Sequence, residues 1–387
     1  MTKPEACAES IPLALYAHLP WCLRKCPYCD FNSHALIGDP PESAYVARML
    51  ADFRIQRARA GSRPIRSLFI GGGTPSLFSP RAIGALLDGL DGLSADAEIT
   101  LEANPGAADA ARFAGYRAAG VNRLSIGVQS FDDRLLAGLG RVHDAAGAHA
   151  AFRAARASGF DNVNLDLMHG LPGQSLGTAM ADLTQALDLA PEHLSWYELT
   201  LEPNTAFHAH PPKLPDEDSL AAIQDAGGER LAVAGYQRYE ISAYARESRH
   251  RCRHNLNYWR FGDYLAIGAG AHGKLTHADG SVWRQALRRH PRGYLEASPE
   301  QAVSSQWRLA PRDLIVEYPL NALRLVDGTL LAEFPRRTGL PLARLSAPIA
   351  RARALGLLEA DPERLRPSPF GLRYLNDLIN LFDCDDE

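Results

Sequence analysis

The sequence predicts an α/β protein built from parallel βα units, followed by a smaller helical, winged-helix-like unit. Three observations carry that expectation. Between Leu13 and Leu201, short apolar runs alternate with longer amphipathic or Ala-rich segments. The unusual residues of that region fall at or just after the ends of the apolar runs, the edge where the loops of a βα barrel gather its chemistry. From about Trp307 the pattern changes to short helices and a hairpin.

The strands expected are Leu13–His18, Ser67–Ile70, Glu98–Glu102, Arg123–Val128, Val163–Met168 and Leu194–Thr200. The helices between them are Glu42–Ala58, Arg81–Leu90, Ala107–Ala118, Ala145–Ser158 and Thr178–Leu189, with Gly120, Gly159 and Pro191 placed as stops. Periodicity alone accommodates both a closed barrel and an open doubly wound sheet. Residues 203–216, rich in His and Pro, read as a loop over the barrel mouth or a connector. Leu220–Ala234 reads as a helix and Tyr239–Ser242 as a strand. Arg284 to Arg292, with four arginines, reads as surface. Toward the C-terminus the expectation is helices at Asp313–Leu323, Leu330–Thr338, Leu342–Leu355 and Pro369–Phe382. A hairpin is expected at Leu357–Leu365, with Asp361-Pro362 at its turn.

A hydrophobic fraction of 46% and a charged fraction of 22% are those of an ordinary globular protein. The net charge of −4 gives no general attraction to nucleic acid or to anionic membranes. Residues 1–10 lack the apolar core of a signal peptide, and no stretch approaches the roughly 20 apolar residues of a membrane span. A cytoplasmic location is therefore expected, where thiolate clusters persist reduced.

Three of the six cysteines, Cys22, Cys26 and Cys29, lie within eight positions at C-x3-C-x2-C spacing. Such gaps let one loop wrap a single inorganic centre. No fourth cysteine follows, since position 31 is Phe and the next cysteine is Cys252. Three thiolates leave one iron of a [4Fe–4S] cube without a protein ligand and free to bind a small molecule. The alternative on spacing alone is a zinc loop completed by His18 or His34. Cys7, Cys252 and Cys384 read as free thiols.

Downstream, Gly71-Gly72-Gly73-Thr74-Pro75 follows the second strand. Glycines there let the backbone approach a ligand, although a Gly-rich turn by itself is equally a tight strand-to-helix connection. Glu102, Gln129 and Asp166 sit at strand ends, and Arg141 follows the fourth strand. A lone acid in an apolar strand costs several kcal/mol unless paired, so each is either a structural bond to a loop or part of a shared polar site.

Together the cysteine triplet and the glycine run resemble the radical S-adenosylmethionine (SAM) superfamily. Within it the match narrows to the group of oxygen-independent coproporphyrinogen III oxidase, and then to its heme chaperone branch, the HemW type. The resemblance covers Leu13 to about Phe382. It implies a partial (β/α)6 barrel, open on one side, with Cys22, Cys26 and Cys29 holding a [4Fe–4S] cluster. It also implies SAM contacts from Tyr16, Gly72, Gly73, Thr74, Glu102, Gln129, Arg141 and Asp166. The oxidases carry another cysteine two residues after the triplet, where this chain has Phe31. Porphyrinogen oxidation is therefore the alternative, and a chaperone that binds SAM and can cleave it reductively is the expectation. His254-Asn255-x-x-Tyr258-Trp259 matches the signature of the HemW type and follows an arginine-rich run, so the resemblance implies heme binding with His254 as iron ligand. Without it, His254 reads as a hydrogen-bonded structural histidine. The implied partners are heme, heme-acceptor proteins such as membrane-bound respiratory enzymes, and a second copy in a homodimer.

The domains expected on this basis are a disordered stretch at 1–12 and the barrel with cluster and SAM site at 13–240. A barrel extension with the His254 motif follows at 241–306, and a C-terminal winged-helix-like domain at 307–387. Its many acids and dispersed arginines favour a lid or docking role over DNA binding.

Overall fold

Continuous rather than alternating burial marks the strands expected from the sequence: Leu13–Leu19 is buried at every position but Tyr16. That pattern belongs to parallel strands covered on both faces. The computed structural model describes residues 8–106 and 111–383. In chain order its strands are β1 (Leu13–Leu19), β2 (Trp21–Cys22), β3 (His34–Ala35), β4 (Ile65–Gly72), β5 (Leu93–Ala103), β6 (Arg123–Gln129), β7 (Val163–His169) and β8 (His193–Glu198). They continue with β9 (Gln237–Arg238), β10 (Ala243–Ala245), β11 (Asp263–Ile267), β12 (His272–Thr276), β13 (Val282–Leu287), β14 (Val303–Arg308), β15 (Thr329–Leu330) and β16 (Arg364–Leu365).

β1 and β4 to β8 pair in parallel in simple sequence order. Helices Glu42–Ala60, Pro80–Asp88, Phe113–Ala119, Ala145–Ala157 and Leu176–Leu189 lie between them. A doubly wound sheet would reverse its strand order at a switch point; this one does not. The sheet grows beyond both ends of the six, with β11 parallel to β1 and then antiparallel β12, β13 and β14 on one side. Antiparallel β10 and β9 follow β8 on the other. Among the described residues no pairing joins β14 to β9, so the barrel stays open.

One buried ion cluster pins the extension to the barrel. Asp263 opens β11 with no solvent exposure. Its carboxylate accepts from Arg63 Nη1 and Lys274 Nζ, both at 2.8 Å, and from the Thr276 amide and hydroxyl at 2.9 Å. Burial raises the Asp263 pKa, but Lys274 and Arg63 overcome it and hold the group below its ordinary value. Arg63 also donates to the carbonyls of Ala8 and Ile11.

Several expectations are corrected. Residues 8–12 are tied to the fold through Arg63 and the buried Ile11, contrary to the disordered stretch expected at 1–12; residues 1–7 lie outside the described set. Tyr239–Ser242 is the turn between β9 and β10, because pairing aligns Tyr244 with Arg238 and leaves the intervening residues to reverse the chain. The turn at Asp361 forms, but β16 makes its ladder with β15, while Leu358 meets Pro367 in a single bridge. The last helix breaks at Tyr374 into Pro369–Arg373 and Leu375–Asn380. Arg284 is half-buried against Glu317, whereas Arg288, Arg289 and Arg292 are exposed. Residues 107–110 of the expected Ala107–Ala118 helix, and Cys7 and Cys384, are outside the described residues.

The C-terminal helices gather a second core around Leu314, Tyr318, Phe334, Leu345, Ile349 and Leu378. Replacing Asp263 with Ala strands two buried cations, and breaking a buried pair of this kind costs about 3–5 kcal/mol. Urea unfolding of Asp263→Ala should show that loss, and a stability equal to wild type would refute the pinning role.

Candidate cofactor and metal site

The carboxyl ends of the parallel strands converge on a cavity of about 610 Å3. Cys22, Cys26 and Cys29 line it from the loop after β1, and Gly72, Gly73 and Thr74 from the end of β4. Glu102, Gln129, Arg141 and Asp166 complete the wall. Eleven of the residues singled out in the sequence thus meet here, counting Tyr16 as the neighbour of Glu102 behind Gly72: it lines an adjoining cavity that shares Gly72 and Glu102.

Two glycines make the close approach possible. A Cβ on Gly72, whose φ is +117°, would sit 2.6 Å from the His18 ring, and one on Gly73 would sit 2.5 Å from the Trp21 carbonyl oxygen. Their backbone therefore packs under the cysteine loop, with the Gly73 amide donating to Leu19 O and the Thr74 amide to Trp21 O.

Polar groups around the cavity are held in place yet incompletely satisfied. Glu102 Oε2 accepts from the Gly72 amide at 3.2 Å. Burial, reinforced by Asp166, pushes its pKa up to about 8. Asp166 is likewise raised by burial and is held by Asn164 Nδ2 at 2.8 Å and Ser125 Oγ at 3.0 Å. Gln129 stands where the β6–β7 register slips, with φ +68°, and its Oε1 accepts from Tyr197 OH at 2.9 Å. Such a bulge re-aims a side chain at a strand end. Arg141 Nη2 donates to Asn104 Oδ1 at 2.7 Å and to Gly127 O at 2.8 Å, and Nη1 lies 3.8 Å from Cys26 Sγ. Its buried Nε has no protein partner among the described residues. Asn104 in turn donates to Thr74 Oγ1 at 2.8 Å.

The donor set fits both groups that the sequence suggests. All three thiols are half-buried on one cavity wall. Burial raises Cys22 and Cys29, so binding a metal centre there would release protons. Among the described residues no three His, Cys, Asp or Glu side chains are gathered at metal-ligating distance; the thiols share a wall rather than a closed ligand sphere. The two histidines that could have completed a zinc loop are engaged elsewhere. His18 Nε2 donates to Asn32 O at 2.9 Å and its Nδ1 accepts from Tyr16 OH at 3.0 Å, while His34 Nε2 pairs with Asn32 Oδ1. For an amino-acid carboxylate, the unpartnered Arg141 Nε supplies a charged donor; for hydroxyls, Glu102 and Asp166 supply acceptors.

His254 departs from the accessible ligand expected. It lies on the helix Arg253–Trp259, whose first amides are capped by Glu98 Oε1. The ring is 1% exposed, packed against Phe69 and Tyr258, with Nδ1 on Ser67 Oγ and Nε2 on Tyr258 OH. Burial lowers its pKa to about 3. The motif does bring Trp259 to the cavity, where the Arg324 guanidinium lies 4.2 Å over its ring. Asn104 and Tyr197 are site residues that the sequence did not single out; Asn104 stands two positions after Glu102 at a strand end, and Tyr197 carried no distinguishing mark.

Residues 16–185 match the model of the radical SAM superfamily, and residues 309–374 match that of the HemN C-terminal domain. Over 374 residues the chain is 49% identical to the heme chaperone HemW of Escherichia coli K12, spanning 96% of this chain and 98% of that protein. The chain belongs to the HemW family. A second member, the heme chaperone HemW of Haemophilus influenzae Rd, is 47% identical over 378 residues, covering 96% of this chain and 98% of its own. The solved structure of Escherichia coli coproporphyrinogen III oxidase (HemN), a radical SAM enzyme, superposes with a TM-score of 0.80. It covers 98% of this chain and 91% of that one at 24% identity, which identifies the shared fold.

Because Glu102 is raised above its unfolded value, it stabilises the fold fully below about pH 4.5, and that contribution is lost as pH rises through about 8. Glu102→Gln should remove this loss. Urea unfolding across that window should show the variant gaining on wild type as pH increases, and parallel pH profiles would contradict a buried, strained carboxylate.

Proposed function

We propose that this chain holds a [4Fe–4S] cluster on Cys22, Cys26 and Cys29, binds SAM beside it, and takes up heme for delivery to acceptor proteins. The observation that carries the reading is the meeting of three thiols, with no fourth cysteine following, and an arginine with an unpartnered buried Nε in one cavity. When bound, the cluster supplies the electron for reductive cleavage of SAM. The chain's own residues position and enclose. Arg141 orients a carboxylate, Glu102 and Asp166 accept from hydroxyls, and Gly72 and Gly73 let the backbone come within reach of a ligand. Tyr197 and Asn104 fix Gln129 and Arg141 in turn.

Membership of a family whose curated members are heme chaperones supports the heme part. Phe31, 58% exposed where the oxidases carry a cysteine, supports a chaperone over a porphyrinogen oxidase. Among the described residues no helix is long and apolar enough to cross a membrane, so delivery to a membrane-bound acceptor would be by docking.

Replacing any one of Cys22, Cys26 or Cys29 with Ala should abolish the cluster absorbance of anaerobically reconstituted protein, since two thiolates cannot retain the cube. Cys252→Ser should keep it, because Cys252 is buried against Glu98 and Tyr239, away from the cavity. Full iron content in Cys26→Ala would sink the cluster assignment.

Charge-assisted hydrogen bonds of the Arg–carboxylate kind are worth about 1.5–3 kcal/mol. SAM affinity of Arg141→Ala, measured by calorimetry on cluster-loaded protein, should accordingly fall roughly tenfold or more. Unchanged affinity with the cluster intact would place the carboxylate elsewhere.

A further inference from the structure

A second cavity, of about 800 Å3, opens beside the first, between the cysteine loop and strands β12 to β14. The two share Asp30, Phe31, Gly72, Glu102 and Trp259. Its size falls in the range of about 300–1,000 Å3 typical of small-molecule sites. Of the residues assigned to the cluster and SAM, only Tyr16, Gly72 and Glu102 reach it, at the shared wall.

Phe31, Trp259 and Tyr258 give it aromatic faces, while Arg289 and His272 give it polar ends. His272 opens β12 and is exposed, and neither ring nitrogen has a hydrogen-bond partner among the described residues. The Arg289 guanidinium is exposed with no carboxylate partner among them. Its main chain is fixed all the same: Asn32 Nδ2 donates to Arg289 O at 2.8 Å and to Ala269 O at 3.0 Å, which ties the cysteine loop to this wall. Aromatic faces, a free imidazole and an exposed guanidinium in one cavity are features that suit a flat metallo-macrocycle with carboxylate arms.

We propose that heme occupies this second cavity, with His272 as its axial iron ligand and Arg289 on a propionate. The inference rests on the heme-binding reading above and gives it a place. Ligation forms a bond from an imidazole nitrogen lone pair to the iron and displaces a water from that axial position, with no change of oxidation state. The other histidines at hand cannot offer a lone pair as they stand. His18 has both nitrogens engaged within the wall, and His254 has both engaged in the core. Partial desolvation at the cavity wall, with Arg284 and Arg289 beside it, lowers the His272 pKa, which favours the unprotonated imidazole. The shared wall sets a heme ring edge against Phe31 and Trp259, directly adjoining the SAM cavity.

The test is titration of the full-length, cluster-loaded protein with hemin, followed by the Soret band and by affinity. Wild type should show a histidine-ligated spectrum. His272→Ala should lose that spectrum and bind hemin roughly tenfold or more weakly, and added free imidazole should restore it. Arg289→Ala should weaken binding without shifting the band. His254→Gln should leave the spectrum histidine-ligated. A wild-type spectrum and affinity in His272→Ala would overturn this site while leaving the chaperone reading in place. Absence of saturable hemin binding to wild type would overturn both. Cluster content and far-ultraviolet circular dichroism of each variant separate these outcomes from misfolding.

Discussion

The neutral imidazole of His18 is the joint on which both cavities depend. It lies at the end of β1, accepts a hydrogen bond from Tyr16 OH on one nitrogen and donates one to the Asn32 carbonyl with the other. Because a carbonyl can only accept, the tautomer is fixed, and burial keeps the ring uncharged by lowering its pKa to about 4. Around this ring the backbone has been stripped of side chains. A Cβ on Gly72 would strike it, and one on Gly268 would lie 2.2 Å from the His18 carbonyl oxygen. The same carbonyl accepts from Tyr45 on the first long helix, whose hydroxyl also takes the Ala269 amide. One residue thereby fixes the distances between the cysteine loop, the glycine turn after β4 and the Gly-rich turn between β11 and β12.

The polar rim built on that joint is costly to the protein alone. Glu102 and Asp166 face each other's field in a poorly solvated wall, and both are raised. A fold selected only for stability would replace them with apolar groups or supply counter-ions. Asp263 differs: fully buried, it receives two cations and two hydrogen bonds from Thr276 and is lowered. Asp263 is structural, whereas the two cavity acids are held by neutral donors and have no ion pair among the described residues. Carboxyls raised in this way in a cleft are a mark of a binding site.

How far the sequence could be read follows from the range over which each feature is determined. The βα alternation and the cysteine loop are local, so the barrel strands and the three cavity-lining thiols were legible within a few residues. Strand-end polar residues were legible too, because topology carries every carboxyl end to the same edge. His254 was not. Its fate is decided by Ser67, Phe69 and Glu98, which lie more than 150 residues away in the chain and draw the helix of its motif onto β4. His272 was hidden for the converse reason. It is an ordinary histidine in a Gly-rich run, and only the fold puts it on the wall of one cavity with Arg289 and Phe31. The 239–242 segment and the β15–β16 pairing were missed because short strands take their partners from tertiary contacts rather than from propensity.

The two cavities meet at one wall. Glu102 belongs to both, and its one protein donor is the Gly72 amide, on the glycine turn that packs beneath His18. A ligand hydroxyl donating to Glu102 from the first cavity favours the ionised carboxylate, since hydrogen bonds to the charged form lower a raised pKa. That change adds negative charge to a surface shared with Phe31 and Trp259, against which an occupant of the second cavity would rest. Were both proposed ligands bound, occupancy of either side would alter the electrostatics of the other through that single carboxylate. Coupling of this kind is reciprocal by necessity: whatever the first ligand does to the affinity of the second, the second does equally to the first.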